Sequence, residues 1–338
     1  MKFTWVEPLA TLHADGGFAG ATQHAALDAF GHAERLGFDA LGIAQRGEPD
    51  ALALRRAEPV AALLARRGSR AAIVELAAQL PDAAATLRVA EEMAALDVLS
   101  GGRLVAAFAA GDAAARFRET HALILRAWQA SAPFAFAGNY HRLPYVDCWP
   151  QPLQRPHPPV LVAGTDGAAL AFCLEHDYAY AELSCAGHAR ARSALGAWWQ
   201  AVAAAHADDN PHRAGYAQVI CLADDLPAAR ARYDRHVRAF FARHDGDAPD
   251  FDALVASGAI VAGSPEGITS RLAALIGELR IGHLFCILDF GGMPAALSLE
   301  ATGRFAREVM PRLRAAWPMH AGDDRHWIVP HAPHAVLH

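Results

Sequence analysis

Apolar residues along the chain come in two alternating textures. Short continuous apolar runs are followed by longer stretches in which apolar positions recur every third or fourth residue. The first texture reads as a strand buried on both faces, the second as a helix with one buried face. FTWVEPL from Phe3, FDALGIA from Phe38, AAIVELA from Ala71 and RLVAAFAAG from Arg103 are the first four strands that this pattern predicts. PVLVAG from Pro159, DYAYAEL from Asp177, GYAQVICLA from Gly215 and IGHLFCILDF from Ile281 are the others. Between them lie helical stretches. TQHAALDAFGHAERLG sets Ala25, Leu27, Phe30 and Leu36 toward one face, and EPVAALLARRG is stopped by Gly68. PDAAATLRVAEEMAALDVLSGG opens with a proline in the first turn and closes on a glycine pair. AARFRETHALILRAW and ATGRFAREVMPRLR continue the series.

Residues 131–158 break the rhythm with a run of prolines and aromatics that is long for a connection, the mark of a functional excursion. Strands that each lead into a helix predict an α/β protein, a (β/α)8 TIM barrel over residues 1–314 with an insertion after the fourth βα unit. Residues 315–338, rich in Trp, His and Pro, form a surface tail. A doubly wound sheet is the alternative, but no GxGxxG follows the first strand.

Composition narrows the function. Apolar residues are 53% and charged ones 20%, enough for a sizeable core. A formal net charge of -6 lacks the basic face of a nucleic-acid binder. Lys2 is the sole lysine, which removes Schiff-base chemistry. Cys148, Cys173, Cys185, Cys221 and Cys286 are scattered without metal spacing or a CxxC, as expected of reduced cytoplasmic thiols. No signal peptide or membrane span is evident, so the expected location is the cytoplasm. No GxSxG elbow and no convincing metal-ligand set occur, so neither a serine hydrolase nor a metal site is expected.

Three stretches, AEEMAALDVLSGGRL, FAGNYHRLPYVDCWPQPLQRPHPPVLVAG and GSPEGITSRLAALIGELRIGHLFCILDFGGMP, resemble the bacterial luciferase-like monooxygenase superfamily. The resemblance runs in order from Phe3 to about Arg314. It implies a (β/α)8 barrel, a homodimer, and an active site at the carboxyl ends of the strands. It also implies reduced FMN delivered by a separate flavin reductase, or F420 in a sister branch. Three departures stand out. Where many members end the second strand in an acidic residue and histidines, this chain has Ala44, Gln45 and Arg46. The fourth strand ends in alanines and Asp112. The fifth is followed by Gly164, Thr165 and Asp166 in place of a Gly-Ser-Ser phosphate cradle. A carboxylate ~4 Å from a phosphate charge costs roughly 4 kcal/mol per unit-charge pair at an effective dielectric of ~20. FMN is therefore expected to bind weakly, even with Asp166 serving only as the N-cap of the next helix.

Carboxyl ends of barrel strands are where chemistry sits. Glu7, Gln45 and Arg46 are the catalytic candidates; Gln45 takes the place of the family histidine. Glu75, Asp112, Thr165, Asp166, Glu182 and Asp289 are the binding candidates there, with His13 after the first strand and Trp149 in the insertion. For each one alone a helix cap or rim salt bridge is the simpler role. The insertion, with Trp149, Tyr140, Tyr145, His141 and His157, is expected to close over the mouth as a lid. The expected activity is an O2-dependent oxidation, as monooxygenase or oxidase, of a small electron-rich nitrogen-heteroaromatic metabolite in secondary metabolism. Two other readings stay open. One is a cofactorless oxidase whose flavin-like substrate occupies the flavin site and meets O2 directly. The other is a barrel that binds flavin or another ligand without turnover.

Overall fold

The computed structural model describes residues 1–8, 20–44, 62, 64–65, 70–79, 83–110, 114–164, 167–245 and 249–322. Its strands are β1 (Lys2–Pro8), β2 (Ala40–Ala44), β3 (Ala72–Gln79), β4 (Leu104–Ala109), β5 (Phe134–Ala137) and β6 (Arg142–Val146). They continue as β7 (Val160–Ala163), β8 (Ala179–Glu182), β9 (Ala214–Leu222), β10 (Ile260–Gly263) and β11 (His283–Ile287). The helices are α1 (Gly20–Arg35), α2 (Ala83–Ser100), α3 (Ala114–Gln129), α4 (Gly167–His176) and α5 (His188–Ala204). After them come α6 (Leu226–Asp245), α7 (Phe251–Ser257), α8 (Pro265–Leu279), α9 (Ala295–Arg304) and α10 (Met310–Leu313). The helix expected at EPVAALLARRG falls largely outside the described residues, although Ala62, Leu64 and Ala65 are helical.

Strands β1, β2, β3, β4, β7, β8, β9 and β11 pair in that order, every pair parallel, and β11 returns to β1. The chain folds as a closed (β/α)8 barrel, and these are the strands that the apolar runs predicted. β10 was not foreseen. It pairs with Val219–Leu222 of β9, above the stretch Ala214–Tyr216 that β8 occupies, so it takes over the edge that β8 vacates.

Register fixes which side chains meet. Ile287, Val6, Gly42, Val74 and Val105 lie in one row around β11, β1, β2, β3 and β4. Val6, Val74, Val105 and Ile287 pack together inside the barrel with Ala107, Leu161, Ala181, Ala217 and Phe285. The alternate residues Phe3, Trp5, Leu41, Ile43, Ile73, Leu104 and Phe108 face the helices and form the outer core. The interior has small residues on the β4, β7, β8 and β9 side, and the Phe285 ring fills the space across from them. A Cβ on Gly215 would sit 2.7 Å from the Phe285 ring, 3.3 Å from Ala181 Cβ and 3.4 Å from His283 Cβ. Only a cavity of about 20 Å³ remains below it, between Val74, Val105, Leu161, Ala179 and His283. The barrel is filled and no pore runs through it.

Local chemistry sets the helix ends. Ser264 accepts the Gly267 N–H at 3.2 Å and Pro265 occupies the first turn, which fixes the start of α8. The last helical stretch is less regular than its pattern. Residues Phe305–Val309 form a π turn, with the Met310 N–H reaching back to the Phe305 carbonyl. Pro311 follows at once; it has no N–H to donate and its ring crowds the carbonyl four residues before it. Among the described residues no helix is long and apolar enough to cross a membrane.

The insertion corrects an expectation. It is a hairpin, β5 antiparallel to β6, laid along α3. Glu119 of α3 accepts the backbone N–H groups of Asn139, Tyr140 and His141, each at 2.7 Å, and His141 Nε2 lies 2.6 Å from Thr120 Oγ1. Arg126 lies 4.1 Å over the Phe134 ring. After the hairpin, Gln154 binds Asp97 and the Leu104 carbonyl at the first residue of β4. The segment is therefore anchored on the flank and at the amino end of the barrel. It is no lid over the carboxyl ends, because three backbone donors hold its tip on α3 and Gln154 holds its return at the opposite end.

Substituting Gly215→Val forces two methyl groups toward Phe285, and overpacking of this kind costs roughly 1–3 kcal/mol. Urea unfolding is expected to show that loss with an unchanged slope. Wild-type stability in the variant would mean that the Phe285 ring is free to move aside.

Candidate functional site

At the carboxyl ends of three barrel strands, burial falls off. Ala44, Ala109 and Ala163 end β2, β4 and β7 half-buried, whereas the residues just before them in those strands are fully buried. Alternation places all three on the inner face. Ala109 pairs with Ala163 and Ala163 with Ala181, an interior residue, while Ala44 packs on the same inner core. Ala110 and Gly164 extend this surface, and both are half-buried. A Cβ on Gly164 would lie 2.8 Å from Ala169 Cβ and 3.2 Å from Ala110 Cβ, so α4 can begin close against this loop only because residue 164 is glycine. The Tyr180 hydroxyl donates to the Gly164 carbonyl at 2.7 Å and fixes the turn. The result is an uncharged floor of methyl groups. Strands lie about 4.8 Å apart, so β2, β3, β4 and β7 span roughly 14 Å, wide enough for a flat tricyclic ring.

The polar candidates fall into three groups. Gln45, Arg46, His13, Asp112, Thr165 and Asp166 lie outside the described residues, although Gln45 directly follows the floor residue Ala44 and Thr165 directly follows Gly164. Glu7 and Glu75 are buried but stand on the other strand face. Glu7 pairs with Ile43, Ile43 with Glu75 and Glu75 with Ala106, and Ile43 and Ala106 belong to the outer core against the helices. Both carboxylates are engaged within the protein. Glu182 is on that same outward face, one position beyond the interior residue Ala181, and accepts from the Ser184 backbone N–H at 3.0 Å and from the Ser184 hydroxyl. It caps its own loop. Gln218 likewise donates to the Gly258 and Ala259 carbonyls and braces β9 against the start of β10. The set does not form one ring of carboxylates around the mouth. Trp149, 73% exposed, precedes Gln151, which is tied to the Ala127 carbonyl near the end of α3, and so stands away from the floor.

Asp289 is different. It follows β11 at the carboxyl end, half-buried. Burial raises its carboxyl above the ordinary aspartate range, and the Ser298 hydroxyl of α9 draws it partly back. That hydroxyl is buried beside the carboxyl but outside direct hydrogen-bond geometry. One turn further along α9, Thr302 accepts the Trp5 indole N–H at 3.1 Å, which anchors this face of the helix to β1. Beyond Asp289 the chain is pinned as well. Gly291, at φ 60, passes so close to α6 that a Cβ there would lie 1.8 Å from the His236 carbonyl oxygen. The His236 ring Nδ1 is 3.1 Å from the Gly291 carbonyl oxygen. GGMP is thus the glycine pair that lets this turn close under α6. Asp289 is legible in the sequence as a polar residue closing the last apolar run, whereas the floor carries no polar signal. Its signal was alanine at the last inward position of several strands.

The described residues fit the ring of a flavin or deazaflavin, since the surface they line is apolar and long enough.

This arrangement agrees with what the chain is similar to. The family model for luciferase-like monooxygenases matches residues 1–304. The chain belongs to the luciferase-like monooxygenase family and is an oxidoreductase. No curated protein matches it. Among solved structures, monooxygenase RslO1 from Streptomyces bottropensis superposes with a TM-score of 0.80 at 24% identity, covering 92% of this chain and 99% of that one. The oxygenating constituent of 3,6-diketocamphane monooxygenase from Pseudomonas putida, solved with FMN, gives 0.74 at 15% identity, over 92% and 98%. An F420-dependent secondary alcohol dehydrogenase holding an F420-acetone adduct gives 0.70 at 14%, over 93% and 99%. At these identities the likeness carries the fold.

A raised carboxyl stabilises the fold only below its unfolded pKa and penalises it as pH rises above that value. Asp289→Asn is therefore expected to melt higher than wild type at pH 7.5, with the gap closing toward pH 4. A variant that melts lower, or a gap independent of pH, would show that the Asp289 carboxylate is paired and not strained.

Proposed function

We propose that the chain is a flavin-dependent monooxygenase that oxidises a small, uncharged, electron-rich ring compound with O2, a nitrogen heteroaromatic being the class favoured. The observation that carries this reading is the uncharged floor of Ala44, Ala109 and Ala163 at the mouth of a luciferase-like barrel. When bound, reduced FMN supplies the electrons that activate dioxygen. The chain's own residues bind, orient and exclude water. The alanine methyls accept one face of a flat ring and keep solvent from it, which strengthens every polar contact at the ring edge. Gln45 and Arg46 follow Ala44 in the chain, and in this proposal they supply hydrogen-bond donors to ring carbonyls. Asp289, whose carboxyl burial raises above the ordinary aspartate range, is the group proposed to exchange a proton with the substrate. Glu7, Glu75 and Glu182, which face the helices, brace the strands that carry the floor. The catalytic unit is residues 1–314. A flavin reductase supplies reduced FMN, the working form is a homodimer, and the setting is cytoplasmic secondary metabolism.

The test is titration of the purified protein with FMN and with F420, followed by oxygen uptake in the presence of FMN and a flavin reductase. Filling the floor with Ala109→Leu and Ala163→Leu is expected to weaken FMN binding by at least about tenfold, roughly 1.4 kcal/mol, with the melting temperature little changed. Removing the donors with Gln45→Ala or Arg46→Ala should cost roughly 0.5–3 kcal/mol of the same affinity. Undiminished FMN binding in the leucine variants would move the site elsewhere. A protein that ignores both cofactors and takes up no oxygen would sink the flavin reading.

A further inference from the structure

The layer of side chains between α3 and α4 takes no part in the mouth, yet it gathers imidazoles in an unusual density. His121 of α3 is 1% exposed, and its Nε2 lies 3.1 Å from the Tyr178 hydroxyl. Its ring centroid is 4.8 Å from Phe172 and 5.0 Å from His176, both on α4. His176 stacks on Tyr178 at 5.3 Å, and His157, just before β7, meets the other side of Tyr178 at 5.9 Å. Phe108 and Phe117 complete the wall. The charged groups around this layer are already engaged. Arg118 of α3 pairs with Glu175 of α4 at the surface and lies 5.2 Å over Phe172. Asp177, before β8, pairs with the buried Arg213 at 2.9 Å. At the surface edge of the layer Glu175 Oε1 lies 3.9 Å from His176 Nε2, and among the described residues no carboxylate pairs with His121.

We propose that this imidazole layer is an acid-opened latch between α3 and α4. Closed, it has no room for a charge on His121. Open, it exposes His121 and His176 to water, where each takes a proton at the ordinary imidazole value. The sign follows from linkage. Burial first, then His176, His157 and Arg118, push His121 down to about 3, and burial also lowers His176. A depressed imidazole keeps the latch shut above about pH 6.5 and loses hold as pH falls, by up to about tenfold in the opening equilibrium per unit and per group. The consequence reaches the mouth, because α4 starts just beyond Gly164 and its Ala169 packs against that glycine. Mild acid would therefore take away one wall of the floor while the rest of the barrel stays folded.

Cys173 of α4 is fully buried beside this layer and reports its opening. The experiment labels the whole protein with 4,4′-dithiodipyridine between pH 7.5 and 5.0 and reads each cysteine by mass spectrometry. The ratio of Cys173 to the equally buried Cys221 of β9 is expected to rise at least about tenfold, as the linkage slope requires. In His121→Gln, whose amide reaches the Tyr178 hydroxyl but does not titrate, the rise should shrink to about threefold or less, with His176 alone responding. His121→Asn should shrink it similarly and serves if His121→Gln fails to melt cooperatively, whereas His176→Gln removes only the weaker group and should keep a rise of about tenfold. A flat ratio in wild type, a parallel rise at all five cysteines, or a full rise in a folded His121 variant would overturn the latch.

Discussion

The barrel depends on one packing relation, the Phe285 ring lying across the small-residue side of the interior. β4, β7, β8 and β9 present Ala107, Leu161, Ala181, Gly215 and Ala217 inward, too little volume to fill a barrel of this size by themselves. One aromatic from β11 supplies it, with its ring 2.7 Å from where a Cβ of Gly215 would sit. Interiors are packed to crystal-like density, so this exchange of volume between facing strands fixes the register at which β11 closes onto β1 and β9. Register in turn decides which side of the sheet every later residue of those strands occupies.

That decision sorts the polar groups at the carboxyl ends. Three buried glutamates, Glu7, Glu75 and Glu182, fall on the helix side, where hydrogen bonds inside the protein can meet the cost of burying a carboxylate. The inner side carries alanine. A charged inner rim would need a ligand or counter-charge at all times, whereas a methyl floor is stable empty and accepts a flat apolar face. Asp289 escapes the sorting because it lies past the end of β11, on a turn that Gly291 and His236 hold against α6.

The insertion shows the same logic at the opposite end of the barrel. Its tip offers three backbone N–H groups in succession, and Glu119 accepts them all, so a two-stranded hairpin too small to stand alone is held on the face of α3. With its return tied to Asp97 and Leu104, the segment shields the outer core beneath Phe134, Phe136 and Leu143 and leaves the carboxyl ends open.

The sequence by itself determined the alternation of strand and helix, because each barrel strand is a continuous apolar run and the helices between them carry their own period. FDALGIA, PVLVAG and IGHLFCILDF were legible for that reason, and so was the barrel they build. β10 was not, since Ile260–Gly263 is too short to stand out and owes its pairing to the edge that β8 leaves open on β9. β5 and β6 were hidden among prolines and aromatics whose partner, Glu119, lies a helix away in the chain. The site divides likewise. Strand order placed Asp289 at the carboxyl end, but which face Glu7 and Glu75 occupy was settled by pairing with Ile43 and Ala106. A residue's type and its place in a strand are local facts. The face it presents depends on the register of neighbouring strands, and a shift of one residue reverses it.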